Sequence, residues 1–153
     1  MYRTNICHGA AELLRSDFMV IMSVDLGKAR TGIAVSDATN QFAFPKEVIT
    51  EYNTERLVEK ICNKAKELNA ERIVVGYPKN MDGSLGERAN ECAKTAKQIE
   101  QKSGLDVTLW DERCTTVTAH NYLSMNNVRG KKRKQTVDAV AAVIILEDYL
   151  RSL

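Results

Sequence analysis

The sequence predicts an α/β protein with a mixed five-stranded sheet and helices on both faces. Three observations lead there. Three short apolar runs crowd into the first fifty residues, separated by turn-forming residues, which is the pattern of consecutive hairpins and antiparallel pairing. Beyond residue 50 the apolar spacing changes from two to 3.6, and strand-like runs alternate with helical ones, which requires parallel pairing in that half. The chain has 153 residues, the usual size of a single core, with 44% apolar and 27% charged residues, an ordinary globular composition.

The elements follow in order. Residues 1–18 read as an N-terminal extension of unassigned role, in which only Ala10 to Phe18 has the composition of a short helix, and the domain spans 19–153 with Met19 as an alternative start. The extension contains Glu12, Arg15 and Asp17 and no continuous apolar stretch, so it does not read as a secretory signal. Val20 to Val24 is an apolar run that reads as a buried strand ending at Asp25, and Gly27 opens a tight turn. Thr31 to Ser36 is a second strand and Phe42 to Thr50 a third, in which Pro45 predicts an edge position or a bulge. Leu57, Val58, Ile61, Cys62, Ala65 and Leu68 share one helical face. Arg72 to Gly76 is the fourth strand. Ala89, Cys92, Ala93, Ala96 and Ile99 mark a second amphipathic helix ending near Gly104, and Val107 to Trp110 is the fifth strand. Thr115 to Met125 reads as a helix, followed by a basic loop and a last helix from Thr136 to about Leu150.

Several function classes are excluded. No apolar run approaches the roughly 20 residues that span a bilayer, so no membrane is expected. Cys7, Cys62, Cys92 and Cys114 have no zinc-ligand spacing, and His8 and His120 do not complete a site. Reduced thiols in a cytoplasmic protein are the simple expectation, with Cys62 and Cys92 acting as small core residues. Gly27-Lys28 lacks the spacing of a phosphate-binding loop. A net charge of +2 and a pI near 8.3 say little by themselves, and the distribution of charge matters more.

Acidic residues end three buried elements: Asp25 after the first strand, Asp111 and Glu112 after the fifth, and Asp138 inside the last helix. Asp138 shares a helical face with Ala141, Ala142, Ile145 and Tyr149, where a carboxylate is expensive to bury without compensation. Each also has a plainer reading. Asp25 before glycine suits a turn, Asp111-Glu112-Arg113 suits a surface ion-pair cluster, and Asp138 in a first turn would stabilise the helix dipole. Taken together, carboxylates gathered at one edge of a sheet repel unless divalent cations neutralise them. Oxygen donors with no His or Cys nearby select Mg²⁺ or Mn²⁺. Two such ions about 4 Å apart activate water and stabilise a leaving oxygen in phosphodiester hydrolysis, with no side-chain nucleophile needed. Arg129-Gly130-Lys131-Lys132-Arg133-Lys134 places five cations in six residues just before Asp138, a composition suited to sequence-independent phosphate contacts and equally to a solvated loop.

Four stretches resemble the YqgF family, candidate pre-16S rRNA nucleases also described as Holliday-junction-resolvase-like. Asp25-Leu26-Gly27-Lys28-Ala29-Arg30-Thr31-Gly32 matches its D-x-G-x-x-R-x-G. Gly76-Tyr77-Pro78 through Asp82-Gly83 is similar to its G-L-P-x-x-x-D-G, Asp111-Glu112-Arg113 with Thr115-Thr116 to its D-E-R segment, and Asp138-Ala139-Val140-Ala141-Ala142 onward to its D-x-x-A-A-x-x-I-L. Tyr77 stands where Leu is usual, and Cys114 follows D-E-R where a larger apolar residue is common; neither removes a carboxylate. The resemblance implies a ribonuclease-H-like fold, metal-binding catalytic carboxylates at Asp25, Glu112 and Asp138, and nucleic-acid contacts from Arg30, Arg113, Arg129, Lys131, Lys132, Arg133 and Lys134. It implies a metal-dependent hydrolase that cuts nucleic acid in rRNA processing for ribosome biogenesis. Resolution of DNA junctions, a non-catalytic RNA-binding module and an actin-like nucleotide binder are the competing readings. The short chain argues against the last, which generally needs two domains. Monomer and homodimer both remain open, junction cutting favouring a two-fold dimer.

Overall fold

A computed structural model describes residues 19–78, 82, 85–111 and 130–153, with side chains in the last helix from 139 onward. The elements are β1 (Ile21–Leu26), β2 (Arg30–Ser36), β3 (Ala43–Thr50), α1 (Thr54–Glu67), β4 (Arg72–Tyr77), α2 (Glu87–Ser103), β5 (Asp106–Asp111) and α3 (Gly130–Arg151). The strands form one sheet in the order β3-β2-β1-β4-β5. β1, β2 and β3 pair antiparallel, while β4 and β5 run parallel to β1. The mixed sheet expected from the two apolar periods is therefore the one observed. The expected N-terminal extension and the helix over Thr115 to Met125 lie outside the described residues.

Alternation along β1 separates two cores. Met22, Val24 and Leu26 join Ile33, Ile73 and Val75 on the face covered by α1 and α2, which contribute Leu57, Ile61, Cys92, Ala96 and Ile99. Ile21, Ala34 and Val74 line the other face beneath Ala142, Ile145, Leu146 and Tyr149 of α3. Cys62 and Cys92 are buried free thiols, packed as small apolar side chains. Pro45 sits on the edge strand β3, and the β2 register jumps from Glu47 to Pro45, so Lys46 is the extra residue of a bulge. α1 starts where the Asn53 side chain accepts from the Arg56 N–H at 3.0 Å. α2 stops at Gly104, whose φ of 73° is the left-handed conformation that glycine adopts without a Cβ clash.

One expectation is corrected. The last helix begins at Gly130, not Thr136, so the basic run Lys131 to Lys134 belongs to helical backbone and is not a loop. Lys, Arg and Gln are good helix formers, so the helix extends past the point where its apolar stripe gives out. Position 138 then lies more than two turns inside α3, beyond the first turn where a carboxylate stabilises the helix dipole, and that plainer account of Asp138 falls away.

Candidate active site

Asp25 is half-buried near the end of β1, on the face that α3 covers. Its flanks come from the sheet register. Gly32 of β2 is its direct partner. On the other side the β1–β4 ladder ends at Val24 opposite Val75, so Gly76 stands next in line, itself opposite Trp110 of β5. The row across the sheet at this level thus reads Val48, Gly32, Asp25, Gly76, Trp110. The carboxylate has a neighbour without a side chain on each adjoining strand. Arg30 opens β2 on the same face, at the same end of the sheet, and is half-buried.

The hairpin after Asp25 is tight. Gly27 N–H donates to Arg30 O at 2.9 Å, and a Cβ at residue 27 would stand 2.2 Å from that same oxygen. Glycine is required here by close approach of backbone. Lys28 is exposed at the tip.

α3 is tied to the sheet by polar contacts, one of them buried. Ser23, wholly buried and two residues before Asp25, donates to Ala142 O at 2.6 Å. Arg72, level with Ile21 at the far end of the sheet, donates to the Tyr149 hydroxyl at 2.9 Å. Trp110 Nε1 donates to Asp148 at 2.8 Å, and its ring meets Tyr149 edge-on at 5.3 Å. The helix therefore runs antiparallel to β1. Helix position 138, one turn before Ala142, lies toward the Asp25 end of the helix.

Asp111 pairs with Tyr77 and has the opposite parity to Trp110, which packs beneath α3. It therefore sits on the face away from Asp25. Glu112, Arg113 and Arg129 lie outside the described residues, as do the side chains of Lys131, Lys132, Arg133, Lys134 and Asp138. Among the described residues no cluster of three metal-ligating side chains occurs. The Lys60 ammonium lowers the pKa of Glu51, the Thr39 hydroxyl lowers that of Asp37, the Glu67 and Glu47 carboxylates raise that of Lys64, and burial pushes the Cys62 thiol up.

Two residues that the sequence patterns did not single out bear on the site. Ser23 interrupts an apolar run, a weak signal of a buried polar role. Arg88, in the first turn of α2, donates through Nη2 to Leu26 O, the carbonyl next after Asp25.

Three antiparallel strands followed by two parallel ones, with a C-terminal helix crossing the face that bears Asp25, define a ribonuclease-H-like domain. The solved structures bear this out. Thermus thermophilus RuvC with its Holliday junction substrate superposes with a TM-score of 0.57 at 13% identity, over 88% of this chain and 94% of that one. Fowlpox virus resolvase with junction DNA gives 0.55 at 14%, over 88% and 98%. The sequence model of the RuvX family, described as Holliday junction resolvase, matches residues 19–152. Relatives from Lachnospira eligens and Bacillus cytotoxicus, each named as a candidate pre-16S rRNA nuclease, are 42% and 40% identical over 140 and 137 residues. Each alignment covers 88% of this chain, and 98% and 99% of the respective relative. The chain belongs to the RuvX family, and the YqgF resemblance read from its motifs is the same relationship.

Proposed function

We propose that this protein is a cytoplasmic metal-dependent endonuclease that hydrolyses phosphodiester bonds in the 5′-end processing of pre-16S rRNA, with residues 19–153 as the nuclease unit. The observation that carries the reading is the Ser23–Ala142 tie, because it sets helix α3 on the half-buried face of Asp25 with position 138 toward the same end. Full-length relatives at about 40% identity with the rRNA-nuclease name favour RNA as substrate.

The donor chemistry fits a hard divalent cation. The face around Asp25 carries Ser23, Gly32, Gly76, Thr108 and Trp110, and both described cysteines lie on the opposite face. Asp25, Glu112 and Asp138 would hold Mg²⁺ or Mn²⁺; Glu112 is preferred over Asp111, whose place in β5 is on the face away from Asp25. When bound, the ions supply an activated water and charge stabilisation of the leaving oxygen. The chain's own residues do the rest. Asp25 and Asp138 would supply anionic oxygens to the cation, which would relieve the repulsion between carboxylates brought together. Arg30, on Asp25's face, and Arg113 meet the phosphates beside the cut. Arg129 and Lys131, Lys132, Arg133 and Lys134 bind backbone phosphate without regard to sequence, aided by the positive N-terminal end of α3.

The family's description as a resolvase favours a second reading, cutting of four-way DNA junctions by a two-fold dimer. One experiment separates them. Labelled rRNA-precursor RNA and a four-way junction are incubated with wild type and Asp25→Asn in Mg²⁺, Mn²⁺ and chelator, with the oligomeric state measured by light scattering. Metal-dependent RNA cleavage absent in the mutant is expected. Preferential junction cutting by a dimer would replace the RNA reading. Binding without cutting, unaffected by Asp25→Asn, would make the protein a binding module.

A further inference from the structure

β1 parts from β4 just before the candidate metal ligand, and something other than the sheet holds the backbone there. Odd-numbered residues of β1 direct their amides to β2, as Ile21 N–H to Ser36 Oγ and Gly27 N–H to Arg30 O attest. Even-numbered residues face β4, and Val20 O accepts from Glu71 N–H at 2.8 Å. Leu26 belongs to the second set. The ladder to β4 ends at Val24 opposite Val75; continued by two, it would set Leu26 against Tyr77 and look to residue 78 for a donor. Residue 78 is proline, which has no N–H. The donor comes from α2 instead. Arg88 Nη2 donates to Leu26 O, while Nη1 stands 3.0 Å from Glu91 Oε2 on the same helix.

We propose that Arg88 is a positioning residue for the metal centre, taking the place of the hydrogen bond that Pro78 cannot make and so fixing the strand end that carries Asp25. The inference rests on reading Asp25 as a metal ligand. Arg88 lines a groove of about 530 Å³ with Leu26, Gly27, Leu57 and Cys92, on the face covered by α1 and α2. It therefore lies behind the sheet from Asp25 and acts through the backbone, touching neither metal nor phosphate. Groups that orient metal ligands from behind are typically worth roughly ten- to hundred-fold in metal affinity.

The test compares wild type, Asp25→Asn, Arg88→Met and Arg88→Lys. Arg88→Met keeps the apolar stem and removes the donors; Arg88→Lys restores one donor. Three readouts are taken: Mn²⁺ affinity by calorimetry, RNA affinity in chelator, and the Gly27 amide resonance of the metal-free protein, whose nitrogen is bonded to the Leu26 carbonyl carbon. The expected result is Mn²⁺ binding lost in Asp25→Asn and weakened roughly tenfold or more in Arg88→Met. RNA affinity should be unchanged, the Gly27 resonance displaced, and Arg88→Lys should recover part of both effects. Wild-type Mn²⁺ affinity in Arg88→Met overturns the proposal and leaves the metal centre standing. Weakened RNA binding with unchanged Mn²⁺ affinity also overturns it, making Arg88 a phosphate contact. A wild type without Asp25-dependent Mn²⁺ uptake overturns the metal-centre reading itself, and the positioning role with it.

Discussion

Replacing Gly27 by alanine should unfold the hairpin behind Asp25. A Cβ there would lie 2.2 Å from Arg30 O, against the 3.0 Å below which real Cβ contacts essentially never fall. The oxygen cannot withdraw freely, because it accepts the Gly27 N–H at 2.9 Å. Moving it out of contact stretches that hydrogen bond and reshapes a turn joining two paired strands. Loss of the bond costs about 1 kcal/mol, and forcing the turn into a less favourable backbone state costs roughly 1–3 kcal/mol more. The expected destabilisation is therefore about 2–4 kcal/mol, or roughly 5–15 °C in Tm for a chain of this size. Urea unfolding followed by fluorescence of the single tryptophan, Trp110, measures it. Cleavage assayed well below the new midpoint should also fall, since Asp25 lies two residues away. A variant within about 0.5 kcal/mol of wild type, the range of an ordinary surface substitution, would refute the steric argument.

Other perturbations test other parts of the fold and site. Ser23→Ala removes a wholly buried hydroxyl bonded to Ala142 O at 2.6 Å; it should cost about 1 kcal/mol, read as a Tm lower by roughly 2–4 °C, and a neutral result would make the tie to α3 incidental. Replacing Lys131, Lys132, Arg133 and Lys134 together by alanine should weaken RNA binding and lower the slope of log affinity against log salt by roughly 0.7 for each phosphate no longer neutralised; an unchanged slope would make the basic turns bystanders. Asp37 accepts from the Thr39 hydroxyl and from the N–H groups of Gln41 and Phe42, which hold its pKa below the ordinary 3.8. Its charge thus stabilises the fold above that pH, and the contribution drains away as pH falls through the lower folded value. Asp37→Asn should be slightly less stable than wild type at neutral pH and equal to it in strong acid; a gap independent of pH would refute the assignment.

The sheet was legible in the sequence because its determinants are local. Val20 to Val24 and Thr31 to Ser36 show apolar strand patterns, Pro45 marks its edge and bulge, and the stripes of α1 and α2 repeat every three or four residues. The start of α3 was not legible, because Lys131 to Gln135 present no apolar period and the hydrophobic stripe begins only further on. Asp25 stood out by its motif, and the sheet register then supplied what the motifs do not show: that two of their glycines, Gly32 and Gly76, flank it on the neighbouring strands. The face of Asp111 followed from strand parity once its partner Tyr77 was fixed. Ser23 and Arg88 escaped sequence reading for a different reason. Their partners lie 119 and 62 residues away along the chain, and each is one polar residue without a periodic pattern around it.

The placement of α3 over the second face of the sheet governs how the protein emerges during translation. The hairpins of β1, β2 and β3 are complete at Thr50, yet the helix that covers Ile21, Ala34 and Val74 is finished only at Arg151. At about 5–20 residues per second, synthesis of that stretch takes roughly 5–20 s. During this interval the nascent sheet carries a bare apolar face and, until β4 is made, an open strand edge, both of which invite chaperones and aggregation. The same delay confers a safeguard under the proposed function. Under that proposal Asp25 and Asp138 would come together only once α3 docks, so competence to cut would wait on the last step of folding.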